Sequence, residues 1–574
     1  MKGIPFLLLI IASAFSTVSL ISIRQSFTHT HVFVIVLTML AFMLIYHYLF
    51  RSIRRNSTLF VPLLRRPTFV SFVIVLSLLL LLSLKSSLTH LLDNHWLIGL
   101  FIIIGSYVTI GILLASVLLV LYSQSITVRY QPIPKYYLFY YAIPCVLVWS
   151  VFLVAFFPGA MTPDSLSHWR QIHTLEFSNW HPVLYTWFML ALTSIWHSPA
   201  IVVIGQSTLL ALIFGYGMYS LNCYGIYKKW TWALTLLFAL SPINTGFVLM
   251  IWKDVLYSAS LFLLTIILIH IVLSKGKWLQ HKRHLSLLLI TLLSVIFIRN
   301  NGLPIILLLL ILLLLQYRSF TKHILITSGI LFIIYFSLTG PIFRYLNVTP
   351  ANPNEALAIP TQQIARVIYE EAAMTEEQLT YFDQILPIEQ WKAYYNPYRT
   401  DPIKFAHDYN GEMIFSDNRA YLNYWFEVVL EHPSIAMEAF LAQTSLVWQI
   451  NQPENGYTDI FTTTIYQPND YDLVSHSISP WLQTQFSRWY NFSQTYMKEW
   501  IWRPAIYTFA IILFTFISVL KLGKQMIIVA LPSLLNTATI FAGLPAQDFR
   551  YLYANTLVIF VLIGLALLKK VQHE

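Results

Sequence analysis

The sequence predicts an all-α polytopic membrane protein with about 14 transmembrane helices and a largely helical extracytoplasmic domain. Three observations carry that prediction. The chain is 57% hydrophobic and only 10% charged, with mean hydropathy +0.65, against roughly 25% charged residues in a soluble domain. Apolar runs of roughly 17–25 residues, the length that spans a bilayer, recur along it. Only six of its 25 acids (Asp93, Asp164, Glu176, Asp254, Asp548 and Glu574) lie outside residues 342–500, which therefore hold the other 19 and read as a water-facing domain.

The formal charge of +10 is not read as a nucleic-acid footprint. In a polytopic chain, excess Lys and Arg mark cytoplasmic loops, so the lipid bilayer is the expected partner and nucleic acid is not. Cys145 and Cys223 sit in or beside apolar runs, which supports neither a disulfide framework nor a cysteine metal site.

The N-terminal membrane region, 1–135, holds apolar runs at 3–22, 31–50, 68–87 and 96–122. No cleavage signature follows the first, so it reads as an uncleaved helix. Arg51, Arg54, Arg55, Arg65 and Arg66 place the connection 51–66 in the cytoplasm. Counting crossings from there puts the N-terminus inside and the loop after the next run, 136–157, outside. The membrane core, 136–341, begins with that run and carries the external loop 158–199. Lys228-Lys229 must again be inside, so one of the runs 183–196 and 200–222 does not cross. The first has about 14 residues, the length of an interfacial segment. Residues 230–250 go out, with Pro242 as a kink, and 256–273 return to Lys275, Lys277, Lys282 and Arg283. The run 285–315 is broken by Arg299-Asn300-Asn301-Gly302 and flanked on both sides by basic residues, so it reads as a hairpin with an outward tip. Residues 323–341 lead out to the domain 342–500, where apolar residues from Asp417 to Val447 recur at helical spacing. The C-terminal region, 501–574, closes with spans near 501–520, 525–543 and 552–568 and the basic pair Lys569-Lys570 inside.

Four polar clusters then share the outer face: Asp164-Ser165, Lys253-Asp254, Arg299-Asn300-Asn301, and Asp548 with Arg550-Tyr551. Ionisable groups near membrane depth are costly and mark functional cavities. Each has a plainer explanation: Asp164 as a solvated loop residue, Lys253-Asp254 as an interfacial ion pair, Arg550 as a snorkelling anchor, His181 as a loop-packing histidine. Their convergence favours a site. The catalytic candidates are Asp164 and Asp254. The substrate-binding candidates are Ser165, Gln171, His181, Lys253, Arg299, Asn300, Asp548, Arg550 and Tyr551. No Gly-rich phosphate loop and no metal-like histidine spacing is present, so no cofactor is expected. The chemistry that fits is transfer from a lipid phosphate, an outward acid taking the acceptor's proton and arginine neutralising the departing phosphate.

The acid just after a long span, followed by His181-Pro182 with Tyr185 and Trp187, resembles the GT-C superfamily of membrane glycosyltransferases, particularly its protein O-mannosyltransferase-like and aminoarabinose-transferase-like members. PGAMTPDSLSHWRQ, IWKDVLYS, RNNGLP, IPTQQIARVIYEE and QDFRYLY also resemble an uncharacterised family of GT-C-like membrane proteins of Gram-positive bacteria. The resemblance implies a GT-C-like fold and transfer of a sugar from a polyprenyl-phosphate donor to an envelope glycan, lipid or protein acceptor. Asp164 matches the superfamily's first-loop acid and Asp254 the position of a second acid. Arg299 and Arg550 are assigned to the phosphate without a family match. Two departures stand out: the spans before residue 136 are additional, and the loop has one Asp rather than an acidic pair. A single carboxylate makes a poor cation site, so a divalent metal is unsupported. The competing readings are a transporter or flippase of lipid-linked glycans, a polysaccharide polymerase or ligase using a lipid-diphosphate donor, and a non-catalytic scaffold. A transporter predicts polar residues spread through the spans, whereas here they gather at one face.

Overall fold

In the computed structural model, residues 6–24, 31–85, 87–88, 91, 96–124, 126–351, 357–453, 456 and 461–569 are described. Residues 3–5 of the first apolar run and Lys570 of the last basic pair lie outside them. The chain is an all-α, multi-pass membrane protein.

It divides into two compact units. The first comprises Met1–Ile126 with Gln449–Asn455 and Ala566–Lys569. Its helices are α1 (Phe6–Arg24), α2 (Val32–Arg55), α3 (Ser57–Leu64), α4 (Pro67–Leu82) and α5 (Trp96–Ser123), with α3 and α4 bent by 71° at their junction. In lipid, helices associate through small and hydroxyl side chains rather than apolar burial. Here Ser106 Oγ donates to the Ser19 carbonyl at 3.1 Å and Thr109 Oγ1 to Ser16 Oγ at 3.1 Å. The expected boundary at residue 135 falls at 126 instead. Residues 129–131 belong to the second unit because their amides bond to the end of a helix there, Gln131 N–H to the Cys223 carbonyl at 2.8 Å and Arg129 N–H to that of Tyr224 at 3.3 Å.

The second unit holds the remaining helices. The membrane part runs α6 (Tyr137–Ala155), α7 (Pro163–Thr174), α8 (Val183–Thr193), α9 (Pro199–Cys223), α10 (Lys228–Leu240), α11 (Pro242–Phe247), α12 (Lys253–Leu273), α13 (Lys282–Ile298), α14 (Gly302–Gln316) and α15 (Thr321–Ser337). The polar segment then builds a helical body including α16 (Ala358–Tyr369), α17 (Glu376–Ile385), α18 (Ile388–Tyr394), α19 (Asn418–Glu431) and α20 (Pro433–Gln443). Its core gathers Ile364, Phe382, Trp391, Tyr421 and Val428, all fully buried. After α21 (Pro480–Tyr496), the chain ends in α22 (Pro504–Leu522), α23 (Ile527–Gly543) and α24 (Tyr553–Leu567).

The organising element is α12. It is apolar on every side and buried along nearly its whole length, as a helix surrounded by other helices must be. α9, α13 and α23 pack around it.

Among the described residues, ten helices are long and apolar enough to cross a membrane, or 11 if the bent α3–α4 pair counts as one span. The expected figure of about 14 differs by three, and the difference falls on three elements. The run 230–250 is cut by Pro242, which has no N–H for the preceding helix and opens a new one at its first position. The hairpin arms α13 and α14 have 17 and 15 residues.

Candidate active site

Two short non-helical stretches, paired at Ala160 and Met250, set the site. Ala160 N–H donates to the Leu249 carbonyl at 2.9 Å, and Ile251 N–H to the Ala160 carbonyl at 3.0 Å. Residues 158–162 and 248–252 therefore lie side by side, and the helices they lead into, α7 and α12, start together. Gln206, fully buried on α9, fastens the second stretch by donating to the carbonyls of Val248 at 3.0 Å and Met250 at 2.6 Å. Thr162 caps α7, its N–H bonded to Ser165 Oγ at 3.1 Å. Ser165 in turn donates to the Ile251 carbonyl at 2.8 Å, and Trp252 Nε1 to Thr162 Oγ1 at 2.8 Å. Asp164 and Asp254 each fall in the first turn of their helix, where the helix dipole favours a negative charge.

The other two clusters come from far along the chain. The α13–α14 tip brings Arg299, whose Nη1 lies 3.2 Å from Asp254 Oδ1. The turn between α23 and α24 brings Arg550, whose Nη1 bonds Asp164 Oδ2 at 2.7 Å while its Nε faces Asp548 Oδ2 at 2.9 Å. The guanidinium of Arg550 also lies over Trp252 and Tyr551, 4.9 and 5.3 Å from their ring centres, and that of Arg299 over Tyr551 at 4.6 Å and Tyr257 at 5.5 Å. Tyr551 thus separates the two acid–arginine pairs and contacts both. Asn536, fully buried on α23, ties this arrangement together. It accepts from Tyr257 OH at 3.0 Å and Asn301 Nδ2 at 3.1 Å, and donates to the Tyr551 carbonyl at 3.1 Å.

These groups surround a cavity of about 330 Å³. Asp164, His181, Lys253, Asp254, Arg299, Asn300, Arg550 and Tyr551 all line it. Ser165 and Gln171 do not. Both are buried and serve the backbone, Gln171 Oε1 accepting from Ser178 N–H at 2.9 Å. Their expected substrate role gives way to positioning the loop. Asp548 also stands behind the cavity, accepting from the Arg550 N–H at 3.0 Å and gripping that guanidinium. Sequence reasoning missed Trp180, Asp401, Phe405 and Thr539, which are also part of the lining. The rings of Trp180 and Phe405 are exposed, nearly parallel at 15°, and 6.3 Å apart. No short-range signal marks them, because Phe405 belongs to the polar body and meets Trp180 only through the fold.

The electrostatics follow from this packing. Burial pushes the Asp164 carboxyl up, but Arg550, with His181 and Lys253 beside it, outweighs burial and holds it well below the usual carboxylate range. His181 shifts so as to lose its charge. Burial first, then Lys253, drives it down to about 4, so it is neutral near pH 7. Its Nδ1 lies 2.8 Å from Lys253 Nζ, and an ammonium can only donate. Nδ1 therefore accepts, and the ring proton sits on Nε2, 3.8 Å from Asp164 Oδ1. His168, buried behind it with Nδ1 2.8 Å from Thr186 Oγ1, is also held well below its ordinary value by burial. Both Asp254 oxygens are buried with no hydrogen-bond partner among the described residues, the Arg299 contact being an ion pair only. Among the described residues no group of three or more His, Cys, Asp or Glu is placed to hold a metal ion.

Residues 11–574 match a family described as a family of unknown function, DUF6020. The chain belongs to the DUF6020 family. The stretch matched to DUF6020 contains every residue of the cavity and both acid–arginine pairs. No curated protein and no solved structure matches the chain.

Proposed function

We propose that the chain is an integral membrane glycosyltransferase of GT-C type that moves a sugar from a polyprenyl-phosphate donor to an extracytoplasmic envelope acceptor. The observation that carries the reading is the pair of acid–arginine contacts, Asp164–Arg550 and Asp254–Arg299, facing one cavity at the end of apolar helices. An arginine beside a carboxylate is already positioned to exchange that partner for a phosphate of the same charge and geometry.

The acceptor hydroxyl attacks the anomeric carbon of the donor sugar and loses its proton to Asp164. The bond from that carbon to the phosphate oxygen breaks, and the phosphate leaves with the electron pair, its charge met by Arg550, Arg299 and Lys253. At rest Arg550 keeps Asp164 ionised, the state a base needs, but too weakly basic. When Arg550 turns to the phosphate, that restraint on Asp164 is removed and its basicity rises. Asp254 keeps Arg299 in place. Trp180 and Phe405 at the cavity offer flat apolar faces of the kind that pack on sugar rings. On this reading the shorter helices α10–α11, α13 and α14 also cross, giving about 14 spans with both termini in the cytoplasm. Basic turns such as 275–283 and 318–322 support that side for their ends.

Three cations around one cavity suit a diphosphate as well as a monophosphate, so a polymerase or ligase with a lipid-diphosphate donor is the second reading. One comparison tests both: envelope sugars and lipid-linked pools from wild-type cells and from cells with chromosomal Asp164→Asn, the variant protein accumulating normally. Loss of one substituent with build-up of a monophosphate-linked sugar lipid supports the first reading. Build-up of a diphosphate-linked lipid supports the second. Unchanged pools would remove Asp164 from catalysis and the transferase reading with it.

A further inference from the structure

A second cavity, of about 690 Å³, lies at the other end of the same helices. α12 starts at the candidate active site with Lys253 and ends at Leu273, two residues before Lys275 of this cavity. α14 starts just after Asn301 of the site and ends with Leu315 and Gln316 at the cavity. The turn from α22 to α23 closes it with Lys524. The 21 residues of α12 correspond to roughly 30 Å of rise, about the hydrocarbon thickness of a bilayer. The second cavity therefore sits at the opposite membrane surface from the first.

Its chemistry is one-sided. Lys275, Arg318 and Lys524 line it, and no carboxylate does. The three turns that build it, 274–284, 316–323 and 520–526, contain no Asp or Glu at all. Like charges gathered in a concave space repel one another unless an anion joins them. The walls are also constructed rather than loose. Gly276 has φ +87°, and a Cβ there would stand 2.5 Å from Phe320 and 2.9 Å from Tyr317, so the first turn packs directly on the second. The buried Tyr317 hydroxyl has no hydrogen-bond partner among the described residues. Beside the cations, Leu315 is 60% exposed, which places an apolar surface next to a cationic one.

We propose that this cavity binds the phosphate of an anionic membrane lipid, with Arg318 gripping the phosphate, Lys275 and Lys524 neutralising it, and an acyl chain lying along Leu315. Arginine suits a bidentate grip on phosphate, and lysine acts as a point charge. The inference is independent of the chemistry at Asp164.

The test uses the purified full chain in neutral detergent with added phosphatidylglycerol, phosphatidylcholine or inorganic phosphate, and reads bound lipid by native mass spectrometry alongside the melting temperature. Phosphatidylglycerol is expected to bind and raise the melting temperature, phosphatidylcholine to do neither. With each cation near a membrane surface worth about 1 kcal/mol, the variant Lys275→Gln/Arg318→Gln/Lys524→Gln should bind phosphatidylglycerol on the order of 100-fold more weakly. A variant removing equal charge elsewhere, Arg54→Gln/Arg55→Gln/Arg65→Gln, should keep wild-type affinity. Equal weakening of both triple variants would mean diffuse attraction to basic loops and would overturn the proposal. Stabilisation by inorganic phosphate that also displaces the lipid would assign the site to a soluble phosphate and overturn its lipid part. If the cavity variant does not accumulate, Lys275→Gln and Lys524→Gln singly must each weaken binding several-fold, and wild-type affinity in both would sink the idea.

Discussion

Asp164 and His181 show how a neighbour's charge decides what a side chain can do. Asp164 is held ionised by Arg550 at 2.7 Å, and His181 is held neutral by burial and Lys253. Replacing Asp164 by Asn removes the proposed base while Arg550 keeps Asp548 as a partner. Transfer is expected to fall by 10² to 10⁴-fold, roughly the contribution of a positioned base, together with the stability that the ionised Asp164 contributes. In vivo product measurement against protein level checks this. The two groups also differ in how they respond to acid. The folded pKa of His181, about 4, lies below its ordinary value near 6.5, so the unfolded chain takes up the proton first as pH falls. Stability is therefore present above about pH 6.5 and lost towards pH 4, by up to about 3 kcal/mol; His168 acts in the same direction. Asp164, whose pKa is lowered, keeps its contribution until the pH falls below about 4. His181→Gln should flatten the melting-temperature profile between pH 6.5 and 4. An unchanged slope would mean that His181 takes up its proton alike in the folded and unfolded chain, and would overturn the downward shift.

At the level of elements, the site depends on short irregular segments between helices. Gly159 has φ +111°, and a Cβ there would lie 2.6 Å from Val203 and 3.1 Å from the Leu249 carbonyl, the partner of the Ala160 amide. Gly159→Ala combines a left-handed backbone with overpacking and should cost about 2–4 kcal/mol, read as a lowered melting temperature in detergent. A loss under about 1 kcal/mol would show that the 158–162 segment relaxes freely. Asn536 makes the complementary point from within a helix. Asn536→Ala leaves Tyr257 OH and the Tyr551 carbonyl without their partner, and buried polar groups left unpaired cost about 1–3 kcal/mol each. It is expected to destabilise the protein by about 2–4 kcal/mol. Asn536→Asp keeps an acceptor for Tyr257 OH and Asn301 Nδ2 but loses the donor to the Tyr551 carbonyl, so it should recover only part of that loss.

On the scale of the whole second unit, the polar body and the membrane helices share the loop that carries Arg550. Gln443 Nε2 donates to the Leu544 carbonyl at 2.5 Å, Thr400 N–H to that of Pro545 at 2.9 Å, and Gln547 Nε2 to Ser445 Oγ at 2.6 Å. These bonds fix the loop that carries Arg550 to the polar body. The proposed sidedness is checked directly. A protease added outside wall-stripped cells should cut within 461–479, and full protection of that stretch with cleavage of 275–283 would invert the topology.

Hydropathy, charge and the placement of acids were enough to determine a helical membrane protein, its polar body, and the four clusters that meet at the cavity. Those are properties of local composition, because crossing a bilayer demands long apolar runs and excludes stray charges. The pairing was not legible. Asp164 meets Arg550 across 386 positions, and neither periodicity nor spacing encodes which arginine faces which acid. The breaks at Pro242 and at the Arg299 tip were legible, but the short lengths of α10, α13 and α14 were not, since hydropathy does not show where the backbone hydrogen bonding of a helix stops. Trp180 and Phe405, and the resting lock of Arg550 on Asp164, arise only when distant segments pack. Tertiary structure decided them because side-chain contact, burial and the resulting pKa shifts depend on distances that the order of residues does not contain.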